Sequence, residues 1–182
     1  MEVLFVHPNF PGQFRKVAAA LARMPGVRVV GVGDESWMKS TVALEGVPVI
    51  GYPAPPEGDK DLLHPWSRKF DAAIRRGEQV MNSLAAHKEQ GLEPDVIVTH
   101  PGWGDAYFLR DFFPGTKVVG LFEYYYHARG ADVGFDPEFP SSMNDIFRLR
   151  ALNATQLMAL DACDEGFCPT QWQRSRFPAV WQ

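Results

Sequence analysis

Short apolar runs recur along this sequence, and the stretches between them carry helical spacing. Val3 to His7 (VLFVH), Val27 to Gly33 (VRVVGVG), Gly46 to Tyr52 (GVPVIGY), Asp95 to His100 (DVIVTH) and the start of KVVGLFEYYYH read as strands. Runs that are apolar without polar alternation predict strands covered on both faces. Between the first two, Phe14, Val17, Ala18 and Leu21 fall at i, i+3, i+4 and i+7, one helical face that Met24-Pro25-Gly26 terminates. Strand, helix, strand in so few residues is a βαβ unit, so its two strands should be parallel.

The rest of the chain repeats the scheme. A helix is expected from about Trp66 to Gln90, with Phe70, Ile74, Met81 and Leu84 on one side. Gly77 weakens its middle by ~1 kcal/mol relative to alanine. PGWGDAYFLRDFF reads as a glycine-rich turn into a short helix, EGFCP as a last short strand, and TQWQRSRF as the start of another helix. PAPPEGDKD and residues 128–142 (ARGADVGFDPEFPSS) lack periodicity and read as loops, the second long enough to be a functional lid or mobile segment. A helix from about Asn144 to Asp161 puts Ile146, Leu149, Leu152, Leu157 and Leu160 on one broad face. Asn153 and Gln156 project from the middle of that face and must either bond nearby backbone or look into a cleft. The expected fold is α/β and Rossmann-like, a largely parallel sheet flanked by helices.

With 182 residues, 46% of them apolar, the chain can bury one sizeable core. A net charge of -4 argues against a nucleic-acid surface, and no apolar run is long enough to span a bilayer. The N-terminus lacks a secretory pattern, and two cysteines, Cys163 and Cys168, suit free thiols in a reducing compartment. A cytoplasmic location is expected.

In parallel α/β sheets, ligands bind outside the carboxyl ends of the strands. That singles out His7 to Gln13, Asp34 to Ser36, His100 to Asp105, Glu123 to His127, and Pro169 to Thr170. The turn containing Asn9, Gly12 and Gln13 would present backbone amides to an anion, with Gly12 allowing close approach. Its plainer alternative is a tight turn whose amides water satisfies. It is neither a Walker loop nor a dinucleotide fingerprint, and GVGDES lacks the third glycine and follows the wrong strand. HPGWGD sets an imidazole, His100, beside the aromatic platform of Trp103, with Asp105 close behind. FEYYYH places Glu123 where it could bind hydroxyls or orient His100, with Tyr125, Tyr126 and His127 following. His7, Trp103, Asp105, Tyr125, Tyr126, His127, Asn153 and Thr170 are the cleft-lining candidates. The five histidines show no metal-ligand spacing, so no metal is expected, and there is no GxSxG elbow.

LFVHPNFPGQFRKVAAALA, DVIVTHPGWGDAYFLRD, ADVGFDPEFP, RLRALNA and CPTQWQRSRFP together resemble the N-terminal domain of family 4 glycosyltransferases. The likeness is to the bacterial subgroup that opens on an HPNFPGQF-like turn. It implies half of a GT-B fold, with residues 1–178 as the acceptor-side Rossmann-like domain and 179–182 starting a linker to an absent donor-binding C-terminal domain. It implies a retaining hexosyltransferase, inactive as this isolated half, that moves sugar from a nucleotide-sugar to a glycan or lipid-linked acceptor. No cofactor beyond the nucleotide-sugar co-substrate is implied, and any membrane contact would come through the acceptor. Gly12 and Gln13 match the loop that approaches the donor phosphates, so that Gly12→Val would stop turnover while leaving the fold intact. His100 matches a histidine near the reacting sugar or acceptor, and Thr170 the small hydroxyl residue before the linker. Glu123 stands where many relatives have a threonine-histidine pair, a departure that leaves its role open. The alternative is a non-catalytic Rossmann-like module that binds a glycan, a nucleotide or a partner subunit; another cleft enzyme sharing the sheet is a third reading.

Overall fold

The computed structural model describes residues 1–38, 43–131 and 133–182. Of the loop at 128–142, Asp132 lies outside the described residues. Six strands form one sheet in the order β3-β2-β1-β4-β5-β6, with every neighbouring pair parallel. They are β1 (Glu2–Val6), β2 (Arg28–Asp34), β3 (Val49–Tyr52), β4 (Val96–Thr99), β5 (Lys117–Leu121) and β6 (Glu165–Phe167). The helices are α1 (Arg15–Ala22), α2 (Glu35–Met38), α3 (Arg68–Glu89), α4 (Leu109–Phe112), α5 (Met143–Asp161) and α6 (Gln171–Arg174). The short α2 was not legible in the sequence.

The unbroken apolar run of β1 has a simple cause, because both of its faces are covered. Leu4 and Val6 join Val80 and Leu84 of α3 on one side, while Val3 and Phe5 meet Phe14, just before α1, and Ala18 of α1 on the other. A third apolar cluster gathers Tyr107, Phe122, Ala159, Leu160 and Phe177 around α5 and the C-terminal segment.

Two helix faces differ from expectation. The buried line of α3 runs through Ala73, Gly77, Val80 and Leu84, with Ile74 turned outward. Gly77 is therefore a contact point: a Cβ there would stand 2.9 Å from the Gly104 carbonyl oxygen. On α5, Leu149, Leu152 and Leu160 are buried but Leu157 is 44% exposed. That helix carries apolar residues nearly all round, so periodicity alone could not choose which side meets the sheet. Its start is set by a capping box between Ser142 and Asp145.

Strand order reverses between β1 and β4, which makes their carboxyl ends the switch point of the sheet. Val6 is in register with Thr99, and Thr99 with Gly120. The next residues after β1 and β4 are His7 and His100, which leave the sheet side by side at the same level.

Candidate functional site

His7 and His100 meet edge to face, with ring centroids 5.4 Å apart. His7 is buried, and its Nδ1 accepts a hydrogen bond from the Asn9 amide at 2.9 Å. Burial, with the neighbouring His100, lowers its pKa to about 4, against the opposing pull of a Gln13 side-chain hydrogen bond and of Glu123. His7 is thus a neutral imidazole with its proton on Nε2. Its ring is the surface on which the opening turn rests: a Cβ on Gly12, whose φ is +44°, would lie 2.8 Å from His7 Cε1. The expectation that Gly12→Val leaves the fold intact fails on this contact.

Within that turn the amides of Asn9, Phe10 and Phe14 are already bonded, to His7 Nδ1, His7 O and Pro11 O. Gly12 and Gln13 begin the 3₁₀ turn Gly12–Phe14, where a helix start leaves its first amides without intrahelical partners.

On the other side of His100, Nε2 lies 2.9 Å from Oε2 of Glu123. A carboxylate only accepts, so the imidazole donates from Nε2. Its Nδ1 is buried without a hydrogen-bond partner among the described residues. The His100 side chain is 12% exposed and that of Glu123 40%, so the carboxylate is the member of the pair that faces outward. Trp103, on the 3₁₀ turn Pro101–Trp103 that follows His100, is also well exposed.

His7, Asn9, Gly12, Gln13, His100 and Glu123 thus come together, whereas several other candidates are engaged elsewhere. Asp105 does not line a cleft: it is fully buried, and its Oδ2 accepts from Tyr52 Oη at 2.7 Å. Asn153 is buried too, and its amide is spent on backbone, accepting from Tyr126 N at 3.0 Å and donating to Tyr126 O at 2.8 Å. The position Tyr126 takes is therefore set through its main chain. Tyr125 packs against Phe177 and the His127 ring, and His127 Nε2 donates to Arg176 O at 2.6 Å. Thr170 caps α6, accepting from Gln173 N at 3.1 Å. A groove of about 680 Å³ runs along β6 and the C-terminal segment, and of the candidates it includes only Thr170. No histidine lines it, whereas polar groups converge at the switch point.

Sequence reasoning missed the network behind Asp105. Arg76 of α3 reaches Asp34 Oδ2 at 3.1 Å, Tyr52 Oη at 3.2 Å and Asp105 Oδ1 at 3.8 Å. Burial raises the Asp105 carboxyl to about 6 despite the Tyr52 hydrogen bond and the Arg76 charge. The available signal was an arginine mid-way along a helix that has to pack on a sheet. Burial also pushes the Cys163 thiol up to about 12, which makes it a poor nucleophile. Among the described residues, no group of three or more metal-ligating side chains converges, and no helix is long and apolar enough to cross a membrane.

Comparison with known proteins places this arrangement. The sequence model of the glycosyl transferase family 4 group matches residues 25–182, a range that begins after the opening turn. No curated protein matches significantly. Among solved structures, a doubly substituted variant of Os79 from O. sativa in complex with UDP superposes with a TM-score of 0.60 at 12% identity, covering 93% of this chain and 46% of that one. Os79 from O. sativa in complex with UDP and deoxynivalenol-3-glucoside gives a TM-score of 0.57 at 12% identity, covering 93% and 47%. This chain spans about half the length of those structures, and at that identity the likeness speaks for the fold.

Proposed function

The chain belongs to the family 4 group of glycosyltransferases, and from that premise we propose that it is the acceptor-side lobe of a retaining hexosyltransferase. A nucleotide-sugar would be the donor, a glycan or lipid-linked sugar the acceptor, and a second α/β lobe would supply most contacts to the nucleotide. UDP in the solved neighbours supports the choice of donor class. We place the work in the cytoplasm, with no metal and with membrane contact only through the acceptor.

One observation carries this reading: at the switch point, a half-exposed carboxylate is held by a mostly buried imidazole. Glu123 would accept a hydrogen bond from the acceptor hydroxyl and so aim its oxygen lone pair at the anomeric carbon. His100, donating from Nε2, holds that carboxylate in place. The hydroxyl oxygen bonds to the anomeric carbon as the bond to the phosphate oxygen breaks, and the electron pair leaves with the diphosphate. The hydroxyl attacks on the face the diphosphate leaves, which retains configuration, and its proton, first held by Glu123, passes to the departing phosphate oxygen. The Gly12 and Gln13 amides would stabilise charge on that leaving group.

The test is nucleoside diphosphate release from a panel of nucleotide-sugars by the enzyme that carries this domain, with and without Glu123→Gln. Turnover that depends on Glu123 is expected. Unchanged turnover in Glu123→Gln would remove the carboxylate from the mechanism, and failure of every nucleotide-sugar would remove the transferase reading.

A further inference from the structure

Beyond β5 the chain must still satisfy its backbone without a sheet. Phe122 N makes the last ladder-like bond, to Phe167 O at 2.8 Å. The following residues are held by side chains instead. Tyr126 is gripped at both its N–H and C=O by Asn153, and His127 is tied to Arg176 O. The carbonyl of Glu123 itself accepts from Gln173 Nε2 at 3.1 Å.

Gln173 does not reach that carbonyl by chance of rotamer. Thr170 Oγ1 donates to Gln173 Oε1 at 2.9 Å and accepts from the Gln173 backbone N–H at 3.1 Å. With its oxygen engaged by the hydroxyl, the amide has only its NH₂ left to present to Glu123. An unbroken series of contacts therefore runs from the cap of α6, through Gln173, to the main chain of Glu123, and through its carboxylate to His100, whose ring lies against His7.

We infer that Gln173 is a positioning residue: its amide, oriented by Thr170, fixes the backbone of Glu123 and thereby keeps the carboxylate on His100 Nε2. The carboxylate needs such a hold, since at 40% side-chain exposure water competes for it. The catalytic value of the pair rests on the functional reading above; the hold itself does not. Gln173 is half-buried on a four-residue helix and belongs to none of the three apolar clusters, so its replacement leaves the core in place.

The experiment reads the His100 Nε2 proton by NMR in this chain, as a hydrogen-bonded, exchange-protected imidazole signal. Glu123→Ala defines its loss. Gln173→Ala removes the amide, and Gln173→Glu keeps the shape and the bond from Thr170 but cannot donate to a carbonyl. Both are expected to lose the signal while keeping wild-type amide dispersion. In the enzyme that carries this domain, kcat should fall on the order of 10²-fold with the donor KM unchanged. A protected Nε2 signal surviving in folded Gln173→Ala or Gln173→Glu would overturn the assignment. Loss of the signal with kcat unchanged would uphold the hold on Glu123 and overturn the catalytic reading of the pair.

Discussion

Glu123 and His100 share a 2.9 Å hydrogen bond in which the imidazole is the inner partner and the carboxylate the outer one. A histidine meant to take a proton from substrate would offer a nitrogen to the groove, yet Nε2 here is engaged by Glu123 and Nδ1 is buried. The two residues should therefore fail differently. Glu123→Gln keeps an accepting oxygen but loses the charge, and Glu123→Ala loses both. We expect the alanine variant to lower kcat by about 10²–10⁴-fold. His100→Gln, which can still donate to Glu123 from its amide, should lose less than tenfold, because the bond that holds the carboxylate is kept. Steady-state kinetics of the three variants distinguish the roles, and a larger loss in His100→Gln than in Glu123→Ala would reverse them.

Gly12→Ala is expected to destabilise the fold by about 2–3 kcal/mol. Part is the left-handed backbone at φ +44°, costing about 1 kcal/mol in an L-residue. The remainder is displacement of the His7 ring from a 2.8 Å contact, an overpacking effect of about 1–2 kcal/mol. Urea denaturation measures it. A Gly12→Ala variant as stable as wild type would show that the ring yields freely.

His7 gives the chain a pH dependence of definite sign. Its folded pKa, about 4, lies below the 6.5 of the free side chain, so between those values the unfolded chain binds the extra proton. The contribution is fully present above pH 6.5 and lost as pH falls towards 4. Its span corresponds to about 3 kcal/mol. His7→Gln removes this term, so the stability difference between variant and wild type should move by up to about 3 kcal/mol in the variant's favour from pH 7 to pH 4. Denaturation curves at both pH values would show it; a constant difference would mean that the ring gains its proton without cost.

The parts that sequence made legible share one property: they follow from the backbone and from apolar patterning. Apolar runs locate the strands to within a few residues, and the rim rule points to His7 and His100 as residues just past strand ends; that β1 and β4 are neighbours is a finding of the structure. What escaped was the direction of single polar side chains. Asp105 and Asn153 sit in rim-adjacent positions, yet one turns towards Arg76 and the other clasps Tyr126. Composition gives each a polar group but not the partner that decides its orientation. Gly77 misled in a related way: as an isolated helix residue it is a weakness, while in the fold it admits the Gly104 carbonyl.

That approach should make Gly104 the less replaceable of the two glycines. At Gly104, with φ +101°, a Cβ would fall 2.1 Å from the Ala73 carbonyl oxygen, and backbone cannot step aside as a side chain can. Gly104→Ala is expected to cost more than about 4 kcal/mol, in the range kept for severe core lesions. Gly77→Ala gains about 1 kcal/mol of helix propensity against a 2.9 Å contact, so its net effect should be smaller. Thermal melts of the two variants rank them, and a milder effect at Gly104 would contradict the packing of α3 on the turn.

Arg76 offers the sharpest test of the buried network. Asp34 and Asp105 are both buried, and the guanidinium stands between them with Tyr52. Arg76→Met preserves bulk but strands two carboxylates, and breaking a buried pair from one side costs about 3–5 kcal/mol. The Asp105 carboxyl, raised to about 6 by burial against the opposing charge of Arg76, should rise further once that charge is gone. A group whose folded pKa is raised favours the fold at low pH, so the Arg76→Met variant should recover part of its loss as pH falls from 7 towards 5. Adding Asp105→Asn should restore stability at pH 7, because it removes one of the stranded charges while leaving an acceptor for Tyr52 Oη. Denaturation of the single and double variants across that pH range measures the coupling. Additive losses with no pH recovery would show that Arg76 and Asp105 are neighbours without being partners.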